Sequence, residues 1–142
     1  MNEKPKKWKF EDIKIGQKAG PIEINFSEDL VENFIKLSGD INPLHVDDEY
    51  ARSKGFDGKI VHGALLFSKA SYFVGMEIPG EGGIYVAQDL KFHRPVYVNE
   101  RCSVRGTVIH KTEATKTIEI KIEIYNSKDE IVLEGNAVVK ML

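Results

Sequence analysis

Between Ser38 and His45 the chain reads Ser-Gly-Asp-Ile-Asn-Pro-Leu-His, which sets a carboxylate (Asp40), a carboxamide (Asn42) and an imidazole (His45) close together. Such a set can hold a water molecule and move its protons. The imidazole titrates near neutrality, so it can take a proton and return it. Each residue also has a plainer reading. Asp40 alone could bond the backbone of the turn before Pro43, Asn42-Pro43 alone is an ordinary turn, and His45 alone is a satisfied loop or core histidine. His62 adjoins Gly63 and fixes a turn, but no water-activating role follows for it. His93 and His110 sit in strand-like runs at spacings that suggest no metal set with the others. Cys102 is the sole cysteine and reads as a small core filler. No intramolecular disulfide is available, which suits a reducing compartment.

The flanking elements are predicted by periodicity. Pro21 to Phe26 alternates as a strand does. Ser27 is a helix N-cap, with Glu28 and Asp29 adding charge to the first turn. Leu30, Val31, Phe34, Ile35 and Leu37 form the apolar face of that helix, and Gly39 supplies its left-handed stop. Asp47 or Asp48 caps a short helix through Ser53. From Ala64 to Met76 the chain is apolar on almost every face, as a helix buried on most sides would be. Beyond Gly83 the period changes to two. Ile84, Val86, Gln88, Leu90 and Phe92 are expected to share one side of a strand. Ile118 to Ile124 is the clearest strand in the chain, and Ile131 to Met141 returns beside it. This order predicts an α+β domain in which a curved antiparallel sheet wraps a long central helix.

With 142 residues, 42% of them hydrophobic, one domain over 1–142 with a substantial core is expected, and disorder is not. Residues 1–10 read as a loose basic lead-in, an N-terminal extension without a signal-peptide pattern. A net charge of -2 gives no reason to expect nucleic acid. The most apolar stretch, Ile60 to Met76, is broken by His62, Ser68 and Lys69 and is short for a bilayer span. A cytoplasmic protein without membrane partners is therefore expected.

Ser38 to His45, followed by Asp47 and Ala51, resembles the signature of the MaoC-type (R)-specific enoyl-CoA hydratases. Ile60-Val61-His62-Gly63, the Pro79-Gly80 turn and the run from Ile84 to Pro95 fit the same family in order and spacing. The resemblance covers nearly everything from Ile13 onward and implies a hot-dog fold. It implies that Asp40 and His45 are the catalytic acid–base pair, supported by the Asn42 amide. Gly63 would polarise the thioester carbonyl through its backbone N–H, and Ser71 would bring a hydroxyl near the pair. The implied reaction is reversible (R)-specific hydration of a trans-2-enoyl-CoA, or the dehydration of a 3-hydroxyacyl thioester on coenzyme A or acyl-carrier protein. No metal or redox cofactor is implied, coenzyme A entering only as part of the substrate. Arg52, Lys54, Lys91 and Arg94 either meet its phosphates or form a solvated face. A homodimer with two sites near its interface is expected.

Two rivals share the fold. A hot-dog thioesterase would carry a carboxylate on the central helix, and Gly63 to Met76 contains neither Asp nor Glu. A non-catalytic acyl-thioester sensor would lack the acid–base pair and carry a DNA-binding segment, for which the residues before the first helix are too few.

Overall fold

The computed structural model describes residues 3–142. Ser27 opens helix α1 (Glu28–Ser38) by accepting the Leu30 N–H at 3.2 Å, and Gly39 closes it at φ 74° with its N–H on the Ile35 carbonyl. Val31 is buried, with Leu30, Phe34 and Ile35 packed against the core. Leu37 is 83% exposed, so the apolar face of α1 is narrower than its sequence suggests. Two short helices follow, α2 (Pro43–Val46) and α3 (Asp48–Ser53). The expected loop after Asn42 thus contains a helical turn of its own, and Asp47 is the residue that caps α3, accepting the Tyr50 N–H at 3.0 Å.

The central helix α4 (Gly63–Met76) has 14 residues and extends about 20 Å. Leu65, Leu66, Ala70, Phe73 and Val74 are buried on it, whereas Ala64, Ser71, Tyr72 and Gly75 form a strip that this chain leaves exposed. Six strands make one antiparallel sheet: β1 (Lys18–Asn25), β2 (Gly83–Gln88), β3 (Lys91–Phe92), β4 (Arg101–Thr112), β5 (Thr117–Tyr125) and β6 (Ile131–Met141). Their order is β1-β4-β5-β6-β2, with β3 also on β6. Ile118, Ile120, Ile122 and Ile124 of β5 all point into the core at 1% exposure or less, and burying each contributes about 1.5–3 kcal/mol. Helix and sheet meet closely where the Phe73 ring lies on Gly106. A Cβ there would stand 2.5 Å from Phe73 Cε1.

Two expectations are corrected. The run from Ile84 to Phe92 is not one strand with Ile84, Val86, Gln88, Leu90 and Phe92 along one side. It breaks after Gln88, where the Asp89 carbonyl passes so near Gly135 that a Cβ on that residue would lie 1.9 Å away. In β2 it is Tyr85 that packs on the core, while Ile84 and Val86 are 50% and 60% exposed. Nor is the lead-in loose where it is described. The Trp8 indole N–H donates to the Glu77 carbonyl at 3.0 Å, Lys6 N–H to the Met76 carbonyl at 2.8 Å, and Phe10 is 5% exposed. An aromatic pair that buries area and finds a partner for its indole outweighs the local preference of a lysine-rich segment for solvent. Residues 1 and 2 lie outside the described part. Among the described residues, no helix is long and apolar enough to cross a membrane.

Candidate active site

The turn after α1 is built from side chains that bond backbone a short step away. Ser38 Oγ accepts the Asp40 N–H at 3.1 Å, Asp40 Oδ1 accepts the Asn42 N–H at 3.0 Å, and Asn42 Oδ1 accepts the Leu44 N–H at 3.1 Å. Pro43 follows as the first residue of α2, where its missing N–H costs nothing. This sequence of local bonds explains why short polar side chains and Pro occupy these positions. It also leaves the second carboxylate oxygen of Asp40 with no protein partner among the described residues. Asn42 therefore serves the turn, through its N–H on Asp40 and its side-chain oxygen as the cap of α2.

His45 is set by a segment further along the chain. Its Nδ1 lies 2.7 Å from the Ile60 carbonyl, and the Ile60 N–H donates back to the Leu44 carbonyl at 3.0 Å. A carbonyl only accepts, so Nδ1 carries the proton and Nε2 is left with its lone pair. The segment that sets it is anchored on both sides. Lys59 pairs with Glu28, its N–H donates to Asp48 Oδ1 at 2.9 Å, and the Val61 N–H donates to the Val96 carbonyl at 2.7 Å.

Gly63 is the first residue of α4, behind His62 as N-cap, and among the described residues its N–H has no acceptor. That N–H and the positive end of the helix dipole are available to a developing anion. Phe92 covers the glycine on one side, so that a Cβ at Gly63 would stand 3.1 Å from Phe92 Cε1. The ring is itself 52% exposed.

The fold also gathers a residue to which sequence reasoning assigned only a turn. His62 is 2% exposed, its Nε2 is 3.1 Å from the Asp40 carbonyl, and its ring stacks on His45 with centroids 3.8 Å apart and planes at 26°. Burial pushes this imidazole below its ordinary 6.5. The bond to the Asp40 carbonyl opposes that shift, the charge of a protonated His45 adds to it, and the Asp40 carboxylate opposes it again. Its position directly before Gly63 was the only signal in the sequence.

Asp40, His45 and His62 each offer a ligand atom within 4.8 Å of the others. The geometry does not favour a metal. Each histidine spends one nitrogen on a carbonyl, and the two rings are stacked, so an ion in the plane of one ring would lie well out of the plane of the other.

Ser71 is not brought to this group within the chain. It lies eight residues after Gly63, about 12 Å along α4, and its side chain is exposed. Three of the four cations considered for coenzyme A phosphates already have neighbours. Arg94 pairs with Glu130 at 3.3 Å, Arg52 Nε donates to the Asp57 carbonyl at 3.4 Å, and Lys54 lies 5.2 Å from the Tyr50 ring centroid.

Residues 10–129 match the family model described as MaoC like domain. The chain is 34% identical to an (R)-specific enoyl-CoA hydratase of Aeromonas caviae over 131 residues, covering 92% of this chain and 97% of that one. It is 36% identical to an (R)-specific enoyl-CoA hydratase of Rhodospirillum rubrum over 130 residues, covering 92% and 89%. A solved structure described as the (R)-hydratase from A. caviae involved in PHA biosynthesis superposes with a TM-score of 0.87 at 34% identity, covering 92% of this chain and 98% of that one.

Proposed function

This chain belongs to the MaoC-like family, and on that footing we propose that it is a lyase that adds water to trans-2-enoyl-CoA to give (R)-3-hydroxyacyl-CoA, reversibly, on the hot-dog fold. One observation carries the reading. The Ile60 carbonyl holds the Nδ1 proton of His45, which leaves Nε2 basic beside a carboxylate with a free oxygen. A water held against Asp40 gives a proton to His45 Nε2 while its oxygen bonds C3. The electron pair of the C2–C3 double bond moves toward the thioester oxygen, where the Gly63 N–H meets the developing negative charge. The proton taken up at His45 Nε2 then passes to C2, directly or by way of the Asp40 carboxylate, the oxygen regains its double bond, and His45 and Asp40 return to their starting protonation. The reverse sequence expels water from a 3-hydroxyacyl thioester. These steps require no metal and no redox cofactor.

Crotonyl-CoA tests this directly. Loss of the enoyl thioester absorbance with an (R)-3-hydroxybutyryl product is expected, and an (S) product or release of free thiol in place of hydration would refute it. Repeating the assay with an acyl-carrier-protein thioester identifies the preferred carrier.

We also propose a homodimer. The edge strand β2 presents Ile84 and Val86 to solvent with its outer side unpaired by any strand among the described residues, an arrangement that a second copy can cover. Light scattering should give twice the chain mass, and Val86→Lys should shift it toward the monomer. A wild-type monomer with full activity would rule the dimer out. The interior of the cell is the setting this substrate implies.

A further inference from the structure

His62 is buried, polar, and unused by the reaction just described. One face of its ring lies on His45 at 3.8 Å between centroids, and Phe34 of α1 sits 4.8 Å away at 59°. Its Nε2 is 3.1 Å from the Asp40 carbonyl, and its Nδ1 is buried without a hydrogen-bond partner. Only one tautomer fits, because a lone pair at Nε2 would face the lone pairs of that carbonyl. With the proton on Nε2, Nδ1 keeps a lone pair. A second proton would place an N–H at a buried point with no acceptor, which costs more than an unmatched lone pair does. The titratable groups that face the ring are Asp40 from the turn after α1 and His45 from α2. The other close neighbour, Phe34, carries no charge, and α4 has no acid to offer.

We propose that His62 is a positioning residue for the hydration: a neutral imidazole that ties the Asp40 turn to the head of α4 through the main chain and supports the His45 ring on its face. The acid and the base are then held in register by one side chain, and the proton taken from water has a single imidazole to occupy. The proposal rests on the hydratase reading, and its test has a part that does not.

In the substrate-free protein, long-range proton–nitrogen NMR of labelled histidines reads both tautomers. At neutral pH His62 is expected to be neutral with its proton on Nε2, which faces the Asp40 carbonyl, and His45 to carry a proton on Nδ1, which faces the Ile60 carbonyl. A His62 that carries its proton on Nδ1, or is charged at neutral pH, overturns the proposal. In kinetics, His62→Phe keeps an aromatic ring beneath His45 and loses the tie to Asp40, whereas His62→Gln keeps an N–H for that carbonyl and loses the stack. Each is expected to lower kcat, by as much as about 10²-fold for a displaced base, with KM nearly unchanged. A loss of thermal stability with kcat at the wild-type value, in whichever of the two folds, overturns it. Wild-type protein with the expected tautomers but no hydration of crotonyl-CoA would refute the hydratase reading and leave the placement of His45 by His62 standing.

Discussion

Replacing Gly63 by proline removes one hydrogen-bond donor and very little else. Gly63 is the first residue of α4, a position where proline is favoured because its N–H is not part of the helix ladder. The residue before it, His62, has φ -59° and ψ 137°, the extended conformation that a following proline requires. Among the described residues the Gly63 N–H bonds nothing, so no protein contact is lost. The fold should therefore survive, with Tm near wild type. What disappears is the donor proposed for the thioester oxygen, and removing one such donor typically costs about 2.7–4 kcal/mol, or about 10²–10³ in kcat. Added bulk is the confounding effect, because a Cβ would stand 3.1 Å from Phe92 Cε1. Gly63→Ala carries that Cβ and keeps the N–H, so it measures the crowding of Phe92 by the Cβ. Phe92 is half exposed and can yield by a few tenths of an ångström, so the alanine variant should lose much less. The assay is hydration of crotonyl-CoA under saturation, comparing kcat for the two variants. A proline variant that folds and turns over as fast as the alanine variant would refute the role given to this N–H.

His45→Gln and Asp40→Asn should each lower kcat/KM by about 10²–10⁴-fold while leaving unfolding by urea near wild type; full activity in both would sink the acid–base pair. Because folding lowers the pKa of His62 below its ordinary 6.5, the unfolded chain binds the proton more tightly. The stability from keeping that ring neutral is thus fully present above pH 6.5 and lost as pH falls below it, so Tm should drop on acidification, and less so in His62→Phe. Equal pH dependence in both proteins would refute that assignment. Trp8 is the single tryptophan, and its docking onto Glu77 predicts that its fluorescence changes in the same urea transition as far-UV circular dichroism. Trp8→Ala should cost about 1–2 kcal/mol, and an earlier, separate fluorescence change would mean the segment is not part of the cooperative fold.

What could be read from the sequence was local. Ser27 and Gly39 bound α1 because a cap and a left-handed stop act within one turn of the helix, and the isoleucines of β5 announce their buried face by alternation alone. The turn from Ser38 to Asn42 was legible for the same reason, its bonds spanning two residues. Features that depend on distant partners were not. The tautomer of His45 is decided by a carbonyl fifteen residues on, and the use of His62 by a fold that brings α4 under the Asp40 turn. The alternation of Ile84 and Val86 was real, but periodicity marks an apolar side without saying which body covers it. This chain's core takes Tyr85. In the lead-in, charge on the lysines hid the anchoring of Trp8 and Phe10.

Both imidazoles take their orientation from main-chain oxygens, His45 from Ile60 and His62 from Asp40. A main-chain oxygen is present whatever side chain its residue bears. The orientation of the His45 ring is therefore insulated from a change of side chain at position 60, because the bond that sets it is made to the main chain. Side chains around the two rings can accordingly be exchanged while the main-chain bonds that orient the rings are carried along unchanged.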